Sequence, residues 1–526
     1  MFRVAQRALF AVSALALVSA FVLLGGERQA LAGVPHTPTR FDDPVPDGCL
    51  PGDCSLREAL ISASNNPGPD SITLPAGTYT LSIPGQGEGN GTTGDLNIND
   101  DLLLRGNGSG DTIIDAASID RVLTTSGDVT IEGVTLRNGA AGSGGGISAG
   151  SGELTLKNVA VTHNVTTDGV FGNGGGIFGS SASAVVLDNA TIANNHAGSG
   201  GGITSVGSLT IIGGSIADNL ADDNGGGLNF GGASLLIERA TFTGNTAAGD
   251  GYGGGLFLSG PAGTTYTIRN STITDNTAAG GFSGGLHNQG DNFLNLTNVT
   301  ISGNTASGSA AMTTSGHATS VLTNVTIAAN SSGDSGYALA NYATTTLENT
   351  IIDDETRSCV AGEPITSSGH NIDSDGTCQL TGTGDMPSTD PMLGPLADNG
   401  GPTETLALLA GSPAINGGDD AACPFADQRG FGRVDVCDIG AFEFGGTAVT
   451  VKQGDVNCDD EVTAVDALFV LRFVAGIPPV AECLNLAGDV NCDGAKTAVD
   501  ALGVLRFVAG LPVNQNEPCA DIGTPV

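Results

Sequence analysis

The middle of the chain is dominated by an internal repeat of 25 to 30 residues. A Gly-Gly-Gly-aliphatic motif, shortened in its last copy to Gly-Gly-Leu, ends at Ile147, Ile177, Ile203, Leu228, Leu256 and Leu286. A second series of segments, such as "ATIANN" and "STITDN", runs in parallel, and each segment ends in Asn. These residues are Asn138, Asn164, Asn195, Asn219, Asn245, Asn276, Asn304 and Asn330. Repeats of this period predict a solenoid, because one unit buries its apolar face only against its neighbours.

Short stretches with alternating aliphatic residues, such as "LTLKNVAVTHN", predict several short strands in each coil. We therefore predict a mainly β chain in which residues 72–352 form a right-handed parallel β-helix of roughly ten coils, on the order of 50 Å long. The recurring Asn is expected at a tight bend, since Asn tolerates left-handed backbone, and its side chains are expected to hydrogen-bond from coil to coil. A Gly-rich disordered linker is the alternative, and the regular aliphatic pairs argue against it.

The segments "GGGL" and "FTGN" resemble repeats of bacterial polymorphic outer-membrane proteins, which implies the coil architecture only. The segment "GDCSLREALISASNNPGPD" resembles the CSLREA segment that opens many exported bacterial β-helix proteins of the choice-of-anchor type. In residues 33–71 we expect a short helix over the open N-terminal coil, with one apolar stripe made of Leu56, Ala59, Leu60 and Ala63.

The segments "NGGPTETLALLAGSPAINGGD" and "DQRGFGRVDVCDIGAFEF" resemble the C-terminal segment of the same exported proteins. We expect residues 353–446 to close the other end of the solenoid. Within them, Arg429 and Arg433 lie near Asp427, Asp435 and Asp438. A salt-bridged cap is favoured over a catalytic cluster.

Residues 1–32 have the features of an export signal: Arg3 and Arg7, an uncharged run from Ala8 to Leu24, and the small-x-small site Ala30-Leu31-Ala32. An uncleaved membrane anchor is the alternative, and no later segment is apolar enough to span a membrane. All ten cysteines follow the signal, which predicts disulfides and an extracellular location, with pairing between neighbours as the simplest connectivity. The net charge of -37 argues against a nucleic-acid partner.

Two C-terminal segments, "DVNCDDEVTAVDALFVLRFVAGIP" and "DVNCDGAKTAVDALGVLRFVAGLP", align with an offset of 34 residues. Side-chain oxygens recur at loop positions one, three, five, nine and twelve, and position seven offers a backbone carbonyl. This spacing predicts one calcium ion in each loop, two in all. The first set of ligands is Asp455, Asn457, Asp459, Glu461, Thr463 and Asp466, and the second is Asp489, Asn491, Asp493, Ala495, Thr497 and Asp500.

A helical period follows each loop, with one apolar face made of Leu468, Leu471 and Val474 in the first copy and of Leu502, Leu505 and Val508 in the second. A loop with an exiting helix but no entering helix, in two copies, resembles the type I dockerin. For residues 454–526, after a linker at 447–453, the resemblance implies a cohesin-like module or other extracellular protein as partner. The family usually carries Ser or Thr at loop positions ten and eleven, whereas this chain has Ala464-Val465 and Ala498-Val499.

Cys458 and Cys492 lie inside the two loops, and Cys483 and Cys519 follow the two helices at similar distances. We predict the bonds Cys458–Cys483 and Cys492–Cys519. The alternatives are Cys458 bonded to Cys492 with Cys483 bonded to Cys519, and, with less support, cysteine as a metal ligand.

Two functions fit this organisation. The first is an extracellular binding, assembly or adhesion module, on polysaccharide or a cell surface. The second is a polysaccharide lyase or glycoside hydrolase attached through its dockerin. Three features favour the first function. Lys and Arg residues that could act as a base are scarce, and Trp is absent. The adjacent Asp222-Asp223 is expected in a solvated loop and not as the facing carboxylate pair of a glycosidase. His287 and His317 are expected at surface or packing positions, and the sequence assigns no catalytic residue.

Overall fold

The computed structural model describes residues 35–66, 68–85, 89–333, 336–354, 357–449, 451–458, 461–475, 477, 483–492, 496–513, 515 and 520–524. The expected signal segment 1–32 lies outside the described residues. Among the described residues, no helix is both long and apolar enough to cross a bilayer.

The predicted solenoid is confirmed: most of the described chain winds into parallel coils whose strands stack in four lines. The first line, which carries the residue after each Gly triplet, contains Leu96–Ile98, Leu123–Thr125, the start of Ile147–Lys157 and of Ile177–Asp188, Ile203–Ser205, Leu228–Phe230, Leu256–Leu258, Leu286–Asn288, Ser309–Thr314, Tyr337–Asn341 and Cys359–Ala361. The second line contains Pro35–His36, Asp70–Thr73, Leu102–Arg105, Val129–Glu132, the ends of Ile147–Lys157 and Ile177–Asp188, Ser208–Ile212, Ser234–Glu238, the starts of Thr265–Thr274 and Phe293–Ser302, Thr319–Thr323, Thr344–Glu348 and Thr366–Gly369.

The third and fourth lines complete each coil. The third contains Gly77–Thr80, Thr112–Asp115, Thr135–Arg137, Ala160–Thr162, Thr191–Ala193, Ser215–Ala217, Thr241–Thr243, the ends of Thr265–Thr274 and Phe293–Ser302, Thr326–Ala328, Ile351–Asp353, Ile372–Asp373 and Met386–Pro387. The fourth is a separate sheet of two-residue strands: Ala140–Ala141, Val165–Thr166, His196–Ala197, Leu220–Ala221, Thr246–Ala247, Thr277–Ala278, Thr305–Ala306 and Ser331–Ser332. Parallel pairing therefore extends beyond the expected span 72–352 at both ends, from Pro35 to Pro387.

The core of the solenoid is built from the inward side chains of these strands. Ile177, Ile203 and Leu228 are register partners in the first line, and each is 0% exposed. Alternate residues of a strand point to opposite faces, so the aliphatic pairs of the repeat stack into one continuous apolar column. Phe230 and Tyr266 fill a wider section of it, with ring centroids 5.1 Å apart in an edge-to-face arrangement.

A ladder of buried Asn side chains runs along the solenoid between the third and fourth lines, as the sequence predicts. The Oδ1 atom of Asn219 accepts hydrogen bonds from the backbone N–H and the Nδ2 of Asn195, both at 3.0 Å. The Nδ2 of Asn219 in turn donates to the carbonyl of Ile192 at 2.8 Å and to Oδ1 of Asn245 at 2.9 Å. The members are Asn164, Asn195, Asn219, Asn245, Asn276, Asn304 and Asn330, none more than 3% exposed. Each coil thus satisfies buried polar groups of the coil before it.

The expectation that these Asn residues take the left-handed bend is wrong. The residue just before each one adopts that conformation, with φ between +52° and +68°: His163, Asn194, Asp218, Gly244, Asp275, Gly303 and Ala329. Asn138, at φ +57°, occupies this bend position and is not a member of the ladder. Asn at the bend also occurs one corner earlier, before the third line, at Asn158, Asn189, Asn270, Asn298, Asn324 and Asn349. The ladder Asn is therefore required by its side-chain hydrogen bonds, and the bend itself accepts several residue types.

The N-terminal helix is confirmed as helix α1, Leu56–Ser64, whose stripe of Leu56, Ala59, Leu60 and Ala63 joins the main core. Ser55 and Glu58 form a capping box at its start. Arg57, only 1% exposed, donates to both carboxylate oxygens of Asp43 at 2.7 and 3.0 Å and to three backbone carbonyls. This buried ion pair fixes the helix on the first coils, and the sequence pattern did not reveal it.

We expected residues 353–446 to close the C-terminal end of the solenoid. After the last coil strands, this segment instead lies along the flank of the coils. After the antiparallel hairpin Leu393–Ala397 and Thr405–Leu408, it follows the corner before the third line. Gln428 contacts the hydroxyls of Thr272 and Thr300 at 2.9 and 2.7 Å, and Asn324 donates to the carbonyls of Asp438 and Gly440 at 3.2 Å. Side chains at the bends and at the start of the third line in successive coils supply the polar partners that hold this segment.

The charged residues of this segment form structural ion pairs, as favoured from the sequence. Arg429 binds Asp427 through two nitrogens at 2.8 and 2.6 Å, and its guanidinium carbon lies 3.7 Å from the ring centre of Phe442. Arg433 pairs with Glu443 at 3.1 Å. Asp435 is exposed, and burial raises the pKa of Asp438 to about 6.

Neighbouring cysteines pair, as expected from the sequence. Three disulfides, Cys49–Cys54, Cys359–Cys378 and Cys423–Cys437, lie at the two ends and in the flanking segment. The coils between Cys54 and Cys359 are held by the apolar core and the Asn ladder.

The Asn ladder yields a stability prediction. Asn245→Ala leaves the buried N–H and one side-chain N–H of Asn219 without their acceptor, so the free energy of unfolding should fall by about 2 to 4 kcal/mol. Guanidinium denaturation followed by circular dichroism measures this change. Asn295→Ala, on the outward, half-exposed side of a strand, is the matched control and should cost less than about 0.5 kcal/mol. Equal stability of the two variants would show that the ladder contributes nothing.

Candidate functional site

The two C-terminal loops each lead into a helix with the same cap. Helices α2, Ala464–Val474, and α4, Ala498–Val508, begin after Thr463 and Thr497. Each Thr side chain accepts a hydrogen bond from the N–H two residues on, and an Asp at the third helical position completes a capping box. A short helix α3, Leu484–Ala487, lies between them.

The Asp at loop position twelve ties the start of each loop to its end. In the first loop, Oδ1 of Asp466 accepts from the N–H groups of Val456 and Asn457 at 3.0 and 3.2 Å. Its Oδ2 accepts from the N–H and the hydroxyl of Thr463 at 2.8 and 3.1 Å. The predicted ligand positions three, nine and twelve are thus brought into contact.

The second loop repeats this arrangement. Oδ1 of Asp500 accepts from the N–H groups of Val490 and Asn491 at 2.8 and 3.1 Å, and Oδ2 accepts from the N–H and the hydroxyl of Thr497 at 2.8 and 3.2 Å. The duplication in sequence is therefore a duplication of hydrogen bonds.

The chemistry of both loops fits a divalent cation that prefers oxygen. Asp466 and Asp500 are 0% exposed and Asp455 is 2% exposed. A buried carboxylate is costly without a compensating positive charge, and no Lys, Arg or His among the described residues forms an ion pair with Asp466 or Asp500. Carboxylate, amide and carbonyl oxygens are the ligands that calcium prefers.

Part of each predicted ligand set cannot be placed. Asp459, Asp493 and Ala495 lie outside the described residues, whereas Asp455, Glu461 and Asp489 lie within them. Within the described residues, no three acidic, His or Cys side chains converge. The predicted ligands therefore remain a prediction, supported by the positions that are described.

The cysteine in the first loop is oxidised. The predicted bond Cys458–Cys483 is present, and Cys458 takes a left-handed conformation at φ +60°. Cys458 is therefore not a thiolate ligand. Cys492 is also disulfide-bonded, and its predicted partner, Cys519, lies outside the described residues.

A second feature lies on the solenoid, at the corner where loops join the fourth line to the first. These loops stack in register through backbone bonds, such as Ser199 N–H to Gly172 O at 3.0 Å and Gly249 N–H to Asp222 O at 3.1 Å. Their lengths vary between coils, so this corner carries side chains that the regular lines do not.

Aromatic side chains lie in two groups along this corner: Phe171 and Phe178 in one coil, and Tyr252, Phe257 and Phe282 beginning three coils later. We call these five residues the aromatic strip. The ring of Tyr252 is nearly parallel to those of Phe282 and Phe257, with centroids 6.1 and 6.4 Å apart. Phe282 is 42% exposed and Phe171, in a one-turn 3-10 helix at Gly169–Phe171, is 82% exposed. Phe178 and Phe257 are half-buried and share the outward row of the first line.

His287 anchors the strip from beneath. Its ring centre lies 4.9 Å from that of Tyr252, and it is 4% exposed. Its nitrogens contact the hydroxyls of Ser283 at 3.3 Å and Ser315 at 2.9 Å. Burial lowers the pKa of His287 to about 4, so the ring is neutral at physiological pH. This is the packing role expected from the sequence.

Ser283, which contacts His287, replaces the first glycine of the Gly triplet in its coil. The first residue of the Gly triplet takes φ between +61° and +68° at Gly144, Gly174, Gly200, Gly225 and Gly253. Ser283 occupies this position in its coil at φ +67°. Ser283 therefore takes a backbone conformation that glycine supplies in the other coils.

Between the aromatic residues lies a polar pair that the sequence analysis did not identify. Nε2 of His196 and Oδ1 of Asp222 are 2.9 Å apart, with side chains 45% and 38% exposed. Asp222 is therefore paired, although we expected it in a solvated loop, whereas Asp223 is exposed as expected. His317 makes a comparable pair with Asp291, also at 2.9 Å, at the corner between the first and second lines.

Two parts of the chain match described families. Residues 119–293 match the right handed beta helix region, and residues 453–509 match the dockerin type I domain. The chain combines a right-handed β-helix with a C-terminal type I dockerin domain. Type I dockerin domains typically bind calcium, in agreement with the oxygen-rich loops.

Two solved structures are distantly similar to the β-helix protein. The crystal structure of pectate lyase Pel9A matches over 78% of this chain and 97% of its own, at 17% identity and a TM-score of 0.43. The A-module of the mannuronan C-5 epimerase AlgE6 from Azotobacter vinelandii matches over 65% and 97%, at 16% identity and a TM-score of 0.30. At these values the substrates of those proteins are not transferred to this chain. No curated protein matches the sequence.

The dockerin helices turn an apolar face to solvent. Ala467, Val470, Ala501 and Val504 form the contact between α2 and α4 and are at most 1% exposed. The stripe identified from the sequence is on the other side: Leu468, Leu471, Val474, Leu502, Leu505 and Val508 are 40% to 54% exposed. Two stripes of this size on small helices are typical of a surface that is covered by a partner.

The loop geometry yields a binding prediction. Calcium titration of the full mature chain by calorimetry should give two sites. Asp489→Ala should remove one site, and Asp455→Ala combined with Asp489→Ala should remove both, because each substitution deletes a carboxylate from one ligand set. Asp521→Ala, in the same domain but outside the loops, should leave two. Two sites in the double variant would contradict the ligand assignment.

Proposed function

We propose that this is an exported, dockerin-anchored protein whose β-helix acts on polysaccharide. The observation that carries the proposal is the aromatic strip beside the His196–Asp222 pair, on a chain that also has a dockerin domain. Aromatic ring faces are the protein surface on which apolar faces of sugar rings pack. The predicted export signal and the disulfides support an extracellular location.

For the dockerin domain we propose calcium-dependent docking onto a cohesin-like module, with two ions bound. The exposed stripes on α2 and α4 are the proposed contact surface. Val465 and Val499, 49% and 58% exposed, stand at the loop positions where the family usually carries Ser or Thr. The partner should therefore present an apolar surface to these positions, which distinguishes it from partners that offer hydrogen bonds there.

For the β-helix we propose that His196 transfers a proton to or from a polysaccharide held on the strip. Histidine is the side chain most often used as a general acid or base, and a hydrogen-bonded carboxylate fixes the orientation of its ring. Asp222 would be the positioning residue in this pair. A reaction of this class is either elimination at a sugar ring or hydrolysis of a glycosidic bond.

The second candidate is a binding or assembly module without catalysis. Between residues 158 and 356 the only Lys or Arg residues are Arg239 and Arg269, and both lie against Glu238, at 3.8 and 3.0 Å. The strip therefore has no basic residue other than histidine to act as a base. In this case the strip would retain polysaccharide without altering it.

One experiment separates the two candidates. Purified mature protein is incubated with xylan, mixed-linkage β-glucan, galactomannan, polygalacturonate and alginate, and both cleavage products and retention of the protein are measured. His196→Ala should slow cleavage by on the order of a hundredfold or more. His317→Ala, the matched His–Asp pair at another corner, should leave the rate unchanged.

Retention without products would replace the catalytic proposal with the binding candidate. Neither retention nor products with any of the five polymers would contradict a polysaccharide-active function. Equal losses in the two His variants would remove the role assigned to His196.

A further inference from the structure

We infer that the polysaccharide held by the aromatic strip is an uncharged polymer and not a polyuronate. This inference rests on the proposed function and adds the substrate class. It also selects hydrolysis as the reaction, because elimination requires a ring proton that a neighbouring uronate carboxyl makes acidic. The inference comes from the charges around the strip, considered together with the aromatic surface that would contact the sugar.

The contact surface of the strip suits a neutral sugar. Tyr252 lies between Phe257 and Phe282 with interplanar angles of 25° and 20°, so the three rings offer similarly oriented faces. The hydroxyl of Tyr252 makes no hydrogen bond within the described residues, which leaves it available to a sugar hydroxyl. Such a surface binds by C–H packing and by hydrogen bonds to neutral groups.

The charges beside these rings are negative. Asp168, Asp223 and Asp250 are exposed in the same stacked loops, and Asp222 is half-exposed. Of these four carboxylates, only Asp222 has an ion-pair partner among the described residues, and that partner is His196. The carboxylate oxygen Oδ2 of Asp223 accepts a hydrogen bond from the neutral amide of Asn224 at 2.9 Å.

Compensating cations lie beyond the ends of the strip. Arg357 is placed over the ring of Tyr337, with its guanidinium carbon 5.7 Å from the ring centre, three coils after the coil of Phe282. At about 4.8 Å for each coil this is roughly 14 Å, longer than the Debye length of about 8 Å at physiological salt. At the other end, two coils before Phe178, Arg121 is paired with Asp95 at 3.1 Å.

A polyuronate on the strip would therefore place one carboxylate per sugar against a row of protein carboxylates. Each close like-charge contact is unfavourable even in water. A neutral chain meets no such repulsion. The charge pattern thus selects against acidic polymers rather than for any one neutral sugar.

The test is affinity electrophoresis of the full mature chain in gels that contain one soluble polymer each: xylan, mixed-linkage β-glucan, galactomannan, polygalacturonate or alginate. The runs are made at low and at physiological salt, with and without calcium. We expect retardation by at least one neutral polymer and none by the two polyuronates. Tyr252→Ala should weaken the retardation roughly tenfold. Tyr342→Ala, 45% exposed at the corner between the first and second lines, is the matched control and should behave as wild type.

A second variant tests the charge argument directly. Asp223→Asn combined with Asp250→Asn removes two exposed carboxylates while keeping their shape. This variant should keep its affinity for the neutral polymer and gain retardation by polygalacturonate or alginate at low salt.

The outcomes separate this inference from the proposed function. If no polymer of either class retards the protein, the proposed function fails. If polygalacturonate or alginate retards the wild type as strongly as the neutral polymers, with or without calcium, the substrate class is wrong while the proposed function stands. Unchanged behaviour of the double Asn variant would also overturn the charge argument.

Discussion

The Asn ladder is the interaction on which the solenoid depends. From Asn195 to Asn330 it requires each coil to present the same backbone corner to the next coil, because each Oδ1 accepts two hydrogen bonds from the coil before it. Together with the apolar column beneath, it fixes the register of all four lines. The loops between the fourth and first lines are released from this constraint and vary in length. The aromatic strip and the His196–Asp222 pair lie at the corner that these variable loops form.

The dockerin domain buries carboxylates, whereas the Asn ladder of the solenoid buries neutral amides. Its two loops are closed by the carboxylates of Asp466 and Asp500, which are buried and satisfied by N–H and hydroxyl donors but not by positive charge. The solenoid satisfies its buried polar groups with neutral amides of its own chain. The loops leave a net negative charge in a small domain, which a cation would neutralise. Calcium should therefore control the folding of one part of the protein and not of the other.

Sequence reasoning succeeded where a pattern repeats with a structural period. The coils and the Asn ladder follow from spacing within the repeat, the apolar stripe of α1 follows from the helical period, and the bond Cys458–Cys483 follows from the duplication. It failed where the deciding contact joins distant segments: Gln428 reaches Thr272, and the flanking segment lies beside the coils instead of over their end. The strip escaped detection because Tyr252 and Phe282 are 30 residues apart in sequence, yet one coil apart in space. Aligning the variable loops by their Gly triplets would have placed them together.

The central claim, that the β-helix is independent of metal and the dockerin domain depends on it, is tested most directly by hydrogen exchange. Amide exchange of the full mature chain is followed by mass spectrometry in calcium and in chelator. We expect peptides covering the coil of Asn219 to stay protected in both conditions, and peptides from Ala464–Val474 and Ala498–Val508 to lose protection only in chelator. Loss of protection in the coils on chelation, or helices that are equally protected without calcium, would contradict this claim.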